Sequence, residues 1–162
     1  MNNSTDFCDI LRRPADAIAF VKGKERFSSV DGTVRFYQLR SSVVVRAEIE
    51  GLPKGCCCNS PIFAFHIHDG EECSGNILDA FADADGHFNP DNCRHPYHAG
   101  DMPPLFGADG KAVLIFLTDR FSVKEILGKT VIIHSLPDDF RTQPAGLSGE
   151  KIACGVITPS QR

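Results

Sequence analysis

The chain has 162 residues, of which 42% are hydrophobic and 23% are charged, and its formal net charge is −4. These values are typical of one soluble globular domain, and the negative charge argues against nucleic acid as a partner. No apolar run approaches the roughly 20 residues of a membrane-spanning helix, so we expect no membrane segment.

The N-terminal segment, residues 1–14, contains Asp6 and Asp9 and no long apolar stretch. A secretory signal carries an apolar core of about 7–15 residues, which this segment lacks. We therefore expect a cytoplasmic location for the sequence as it is written.

Most of the remaining chain has the alternating pattern of β-strands. Residues 43–50 show the pattern well, because Val45, Ala47 and Ile49 alternate with charged side chains. Many short strands separated by turn signals are typical of an all-β sandwich or barrel. Further strands are predicted at residues 17–21, 33–39, 62–68, 112–117, 130–134 and 151–157.

The central part of the chain, residues 69–110, has the character of a long loop. Loops longer than about 12–15 residues are usually functional. After it, one short helix is predicted, because Ser122 and Glu125 have the spacing of a capping box and Gly128 can end a helix.

The first histidine group is His66 and His68, two positions apart on a predicted strand. Side chains at this spacing point to the same face of a strand, so both imidazoles can reach one metal ion. Considered alone, the pair is more typical of two exposed histidines on a solvated face.

The second group lies in the long loop, where His95, His98 and Asp101 follow one another at spacings of three. Together with His87 they form a set of three histidines and one carboxylate, which suits four-coordinate zinc. The alternative is a polar loop without an ion, but a second cluster of histidines favours a metal site.

The number of candidate ligands is informative. Two four-coordinate sites need eight ligands, and the chain offers seven, namely six histidines and Asp101. One imidazole shared between both ions, or a water molecule, would supply the eighth.

Several separated motifs then match one family pattern in the correct order: Phe65-His66-Ile67-His68, Gly86-His87-Phe88-Asn89-Pro90, His95, His98-Ala99-Gly100-Asp101, Val131-Ile132-Ile133-His134, Asp138-Asp139 and Ala153-Cys154-Gly155-Val156-Ile157. On these motifs the stretch from residue 65 to residue 155 resembles copper/zinc superoxide dismutase. The chain looks closer to compact bacterial members, because only two residues separate His95 from His98 and residues 139–150 form a short loop with few charges.

The resemblance implies a Greek-key β-barrel or sandwich of about eight strands with long metal-binding loops, formed by residues 16–162 after an N-terminal extension of residues 1–15. It also implies that His87 bridges the two metals and that Asp138 links a copper ligand, His66, to a zinc ligand, His95. The implied copper ligands are His66, His68, His87 and His134, the implied zinc ligands are His87, His95, His98 and Asp101, and the implied disulfide joins Cys73 to Cys154.

Lys151 takes the position where the family usually has an arginine beside the copper channel. Lysine keeps the positive charge but lacks the planar fork that can hold an anion with two bonds. The neighbouring Glu150 is expected to weaken the local positive field. The resemblance thus implies that His87 and Lys151 are the catalytic residues, with a rate somewhat lower than usual. Simpler alternatives are an exposed strand residue for Lys151 and a turn residue for Asp138.

The remaining cysteines have no clear place in the family pattern. Seven cysteines are present, so at least one thiol stays outside intrachain pairs. The run Cys56-Cys57-Cys58 offers soft ligands for Cu(I), but neighbouring side chains in a strand alternate faces, which favours a turn with small buried thiols. Cys93 is interpreted as a loop thiol rather than an extra ligand.

The function implied by the resemblance is conversion of superoxide to oxygen and hydrogen peroxide, by Cu(II)/Cu(I) cycling with a zinc-supported bridging histidine. The main alternative is a copper-binding or copper-delivery protein on the same scaffold. Lys151, Glu150 and the three-cysteine run favour it slightly, and the complete ligand set opposes it. A third interpretation is a family relative that binds zinc only. Loss of a copper histidine would favour it, but all of them are present. Superoxide is then the partner, and a homodimer is compatible with the sequence.

Overall fold

The structure is a computed structural model and describes residues 7–55 and 61–160. These parts of the chain contain nine β-strands, all paired antiparallel, and two short α-helices. The strands are β1 (Ala17–Gly23), β2 (Asp31–Gln38), β3 (Val43–Glu50), β4 (Ile62–Phe63), β5 (Phe65–His68), β6 (Leu105–Phe106), β7 (Ala112–Thr118), β8 (Thr130–His134) and β9 (Lys151–Pro159).

Seven strands form one sheet in the order β5-β8-β9-β1-β2-β3-β7, and β4 pairs with β6 in a second sheet. Strands distant in sequence are therefore neighbours, as in the pairs β5 with β8 and β3 with β7. The all-β architecture that the alternating pattern predicts is confirmed.

The inner face of the large sheet packs around one hydrophobic core. Val45, Ala47 and Ile49 of β3 are at most 1% exposed, as their alternation with charged residues predicts. The outer face of β3 carries one further buried residue, Val44, because a short helix, α1 (Phe7–Arg12), places Ile10 against it. Sequence periodicity did not reveal this helix.

The single strand predicted at residues 62–68 is in fact two strands, separated at Ala64. The prediction of one strand was wrong because the backbone of Ala64 pairs outside the ladder. Its N–H donates to the carbonyl of Leu136, and its carbonyl accepts from the N–H of His134. β4 and β5 can therefore belong to different sheets.

Two other predictions from the sequence need comment. The helix α2 (Val123–Ile126) is confirmed, and the Glu125 carboxylate accepts a 2.7 Å hydrogen bond from the Ser122 N–H. The long loop is not entirely irregular, since residues 69–110 contain a 3-10 turn at Ala82–Ala84 and the strand β6. Among the described residues, none of the helices has the length and apolar character needed to cross a membrane.

Candidate metal centre

The fold brings all six histidines and Asp101 together in two groups that share one member. Within each group the potential ligand atoms lie within 4.8 Å of one another. The side chain that belongs to both groups is His87, which is only 2% exposed. The first group is His66, His68, His87 and His134, and the second is His87, His95, His98 and Asp101.

Strand β5 holds two parts of the long loop beside its own histidines through backbone hydrogen bonds. The N–H of Ile67 donates to the Gly100 carbonyl at 2.9 Å, and the Ile67 carbonyl accepts from the Phe88 N–H at 2.8 Å. Two distant parts of the long loop, around residues 87–88 and 100–101, are thereby fastened beside the strand that carries His66 and His68. The side chain of Ile67 is buried in the hydrophobic core, which anchors the strand at this position.

Three buried ring nitrogens at the centre make no hydrogen bond to the described residues: Nδ1 of His66, Nε2 of His87 and Nδ1 of His95. Nδ1 of His95 lies 3.1 Å from Oδ2 of Asp101, a contact without hydrogen-bond geometry between two members of the second group. A buried polar atom without a partner is costly, and nearly all such atoms in proteins are paired. Each of these nitrogens belongs to a residue of at least one of the two candidate ligand groups. The donor set and its unpaired atoms therefore fit metal ions.

One carboxylate orients a ring in each group. Asp138 accepts from Nε2 of His66 at Oδ2, at 3.0 Å, and from Nε2 of His95 at Oδ1, at 2.9 Å. Because the carboxylate accepts at Nε2, the opposite nitrogen of each ring, Nδ1, keeps its lone pair for a metal. The hydrogen bonds that the resemblance implies for Asp138 are present.

Backbone carbonyls orient two further rings in the first group. Nδ1 of His68 donates to the Asp85 carbonyl at 2.6 Å, and Nδ1 of His134 lies 3.4 Å from the Gly149 carbonyl. A carbonyl accepts only, so these nitrogens carry the protons and both Nε2 atoms are free to ligate. The two Nε2 atoms lie 3.3 Å apart, so both can reach the same metal ion.

Burial favours the neutral form of three histidines in the first group, and a histidine must be neutral to bind a metal. Burial lowers the pKa of His66 to about 4 and that of His134 to about 3, and it lowers the pKa of His68 well below 6.5. Burial alone would raise the pKa of Asp138, but hydrogen bonds from His66, the Phe140 N–H and His95 lower it to about 2. The Asp138 carboxylate is thus charged at every pH at which the rings of His66 and His134 are neutral.

A cavity of about 380 Å³ opens onto the first group and is lined by His68, His87 and His134. Lys151 lies in its wall, where its ammonium donates to Asp79 Oδ2 and to the Phe81 carbonyl, both at 2.9 Å. The cavity is therefore lined by histidines of the first group and by at least one cation that can attract an anion.

A second cation, Lys24, also lines this cavity and donates to Glu150 Oε2 at 2.7 Å. Glu150 pairs with Lys24 at the cavity and Lys151 pairs with Asp79, so Glu150 weakens the positive field there through Lys24. Sequence reasoning missed Lys24 and Asp79. Neither belongs to a motif, and only the packing of separate loops brings them to the cavity.

The cysteine predictions have mixed outcomes. Cys73 and Cys154 form the disulfide that the resemblance implies, which ties the loop after β5 to β9. Cys93 is an exposed free thiol and belongs to neither ligand group, in agreement with a loop thiol. Residues 56–58, which contain the three-cysteine run, lie outside the described residues.

Comparisons with known proteins agree with this geometry. A family model described as copper/zinc superoxide dismutase matches residues 30–157. A Superoxide dismutase [Cu-Zn] 2 from Aquifex aeolicus is 36% identical over 143 residues, covering 79% of each chain. A Superoxide dismutase [Cu-Zn] from Deinococcus radiodurans is 32% identical over 152 residues, covering 82% of this chain and 80% of the relative. The human copper chaperone for superoxide dismutase is 28% identical over 93% of this chain and 55% of its own length.

Proposed function

This chain belongs to the copper/zinc superoxide dismutase family, and we propose that its two histidine groups divide the two metals between them. Its function is the conversion of superoxide to oxygen and hydrogen peroxide, with copper and zinc as cofactors. In the proposal copper binds His66, His68, His87 and His134, and zinc binds His87, His95, His98 and Asp101.

The observation that carries this assignment is the position of His87 in both groups. Its Nδ1 lies 2.7 Å from Oδ1 of Asp101 in the second group, and its Nε2 is buried without a partner. One ring thus offers a nitrogen to each ion, which supplies the eighth ligand. The group with a carboxylate suits zinc, and the all-imidazole group that opens to a cavity suits a reactive copper.

When it is bound, copper supplies one-electron redox chemistry, which zinc lacks. The residues of the chain prepare the site for that chemistry. His87 borders the cavity, so its Nε2, whenever it is not bound to copper, can hold a proton beside an anion there. Asp138 keeps the rings of His66 and His95 in their ligating orientation, and the Lys151 ammonium provides positive charge beside the substrate.

We propose a rate somewhat below the diffusional ceiling of about 10⁸–10⁹ M⁻¹s⁻¹ for this reaction. Both ammonium groups at the cavity are paired with carboxylates, Lys151 with Asp79 and Lys24 with Glu150. Pairing reduces the net positive field that attracts an anion from solution. The same observation favours the second candidate, copper binding or delivery without turnover.

One experiment separates the two candidates. Superoxide decay is followed by pulse radiolysis on protein whose copper and zinc have been counted by elemental analysis. First-order decay in proportion to bound copper supports dismutation, whereas full copper without turnover supports copper handling. Metal counts on His134→Ala and Asp101→Ala test the assignment, since the first variant should lose copper selectively and the second zinc.

Three finer points belong to the same proposal. We propose that residues 16–162 form the β-domain and residues 1–15 an extension, that the protein is cytoplasmic, and that it is able to form a homodimer. Limited proteolysis tests the boundary, cell fractionation tests the location, and sedimentation tests the oligomeric state.

A further inference from the structure

The loop that carries most of the second ligand group is only partly held by the sheet. At its far end Gly100 and Asp101 are fastened to β5, through the Ile67 N–H and a bridge between His66 and Asp101. Residues 95–98 lie outside any strand or helix. Their backbone must therefore be held by side chains if His95 and His98 are to keep a fixed geometry.

Arg120, in the turn between β7 and α2, holds one side of this loop. Its Nη1 lies 3.1 Å from the Pro96 carbonyl, 3.3 Å from the His98 carbonyl and 3.1 Å from the Asp101 carbonyl. A guanidinium is always charged and carries only donors, so it is suited to gather several carbonyl oxygens. One side chain thus fixes the backbone of both His98 and Asp101.

Gln143, in the loop between β8 and β9, holds the opposite end. Its Oε1 accepts from the His95 N–H at 3.0 Å, and its Nε2 donates to the His95 carbonyl at 2.7 Å. The carboxamide pairs with His95 as a neighbouring β-strand would. Since Asp138 from the same loop binds the ring of His95, this ligand is held at both its backbone and its imidazole.

We propose that Arg120 and Gln143 are positioning residues for zinc, which set the affinity and the coordination geometry of the second group without touching the ion. The inference rests on the proposed assignment of zinc to this group. Neither residue belongs to a ligand group or to a sequence motif. Both act on the backbone of the ligands, whereas the carboxylate of Asp138 acts on their rings.

Backbone anchors matter for zinc affinity because a zinc site tolerates only small changes in its metal–ligand distances. Zinc–nitrogen and zinc–oxygen distances lie at about 2.0–2.2 Å, and a workable site keeps each within roughly 0.2 Å. A loop that loses its backbone anchors samples wider positions of His95 and His98. Loss of partners that orient metal ligands typically costs about 10-fold to 100-fold in metal affinity.

The test uses the full chain and two variants that remove the anchors, Arg120→Ala and Gln143→Leu. Zinc affinity is measured by competition with a chromophoric chelator, and geometry by the visible spectrum of Co(II) bound in place of zinc. Each variant is expected to bind zinc about tenfold more weakly or worse and to show an altered Co(II) band. Arg120→Lys keeps a cation with several donors and should recover part of the affinity.

The matched control is Arg141→Ala, which removes an exposed arginine close to Gln143. It should leave the zinc affinity and the Co(II) spectrum unchanged. Unfolding of the metal-free protein separates positioning from general destabilisation, because positioning reduces the stabilisation by zinc more than the stability of the metal-free chain. If Arg120→Ala does not fold, Gln143→Leu carries the test, because it removes the anchor at the other end of the loop.

Two negative outcomes have different meanings. If zinc binding is lost in Asp101→Ala but is unchanged from the wild type in Arg120→Ala and Gln143→Leu, the zinc assignment stands and the positioning role is overturned. If Asp101→Ala leaves wild-type zinc binding intact, the proposed zinc set itself fails.

Discussion

Gly146 lies against the carboxylate of Asp138 so closely that a Cβ on it would sit 1.9 Å from Oδ1 and 2.8 Å from Nε2 of His95. Its backbone also has a φ of +75°, a conformation that side chains disfavour. Because Asp138 binds the rings of His66 and His95, this glycine provides the space in which one carboxylate can serve both metal groups.

Gly146→Ala should therefore weaken the binding of both copper and zinc, because the new methyl group displaces Asp138 from His95. The matched control is Gly128→Ala, where φ is +85° but no atom lies within 4 Å of the added Cβ. Both variants carry backbone strain of about 1–2 kcal/mol, but only the first disturbs the metals. Metal content after dialysis and thermal unfolding check this, and equal metal retention by the two variants would contradict it.

Asp138→Asn should lower the affinity for copper and zinc by about 10-fold to 100-fold. The amide presents an NH₂ group to one of the two rings that donate to the carboxylate, so that ring loses its acceptor. The other ring keeps an acceptor, but a neutral amide oxygen binds it more weakly than a charged carboxylate does. Chelator competition with each metal measures the effect. Asp109→Asn, at an exposed carboxylate paired with Lys54, is the control and should match the wild type. Loss of affinity confined to one metal would argue against a shared orienting role.

Lys151→Gln should reduce kcat/KM for superoxide roughly threefold to tenfold and flatten its dependence on ionic strength, since one cation is removed from the cavity wall. Glu150→Gln should act in the opposite direction, because it releases Lys24 from its ion pair. Pulse radiolysis at several salt concentrations measures both. The control is Lys22→Gln, at an exposed lysine paired with Asp31. An unchanged salt dependence in Lys151→Gln would remove this lysine from the guiding role.

The metal-free protein should lose stability as the pH falls from about 6.5 towards 4. The pKa of His66 is lowered to about 4 and that of His134 to about 3, so both rings stay neutral in the folded state at pH values where the unfolded chain already binds protons. Proton uptake by the unfolded state then favours unfolding, by on the order of 3 kcal/mol for His66 alone at the low end of this window. Urea unfolding across this range provides the measurement, and stability that is flat between pH 6.5 and 4 would contradict it.

Cys73→Ser should lower the free energy of unfolding by about 2–5 kcal/mol, since the disulfide spans 81 residues of sequence. The same variant frees the loop whose residues Asp79 and Phe81 hold the Lys151 ammonium, so kcat/KM should also fall. Denaturant unfolding and superoxide decay report the two effects. Cys93→Ser removes an exposed free thiol and should change neither.

Local patterns in the sequence were sufficient for the parts of the protein that depend on near neighbours. The two-residue spacing of His66 and His68 is a property of any strand, and the inward residues of β3 follow from alternation alone. The capping pair Ser122 and Glu125 likewise acts within a single helical turn. Family motifs also predicted the other candidate metal ligands and the disulfide, because each motif keeps its own local spacing.

Tertiary structure alone decided which other residues surround the candidate metal centre. Lys151 meets Asp79 across 72 positions, Gln143 clamps His95 across 48, and Arg120 reaches the His98 carbonyl across 22. The interruption at Ala64 depends on a partner beyond β8, and α1 forms against an apolar patch on the outer face. No periodicity encodes such pairs, since their geometry arises only when strands distant in sequence pack side by side and bring their connecting loops together.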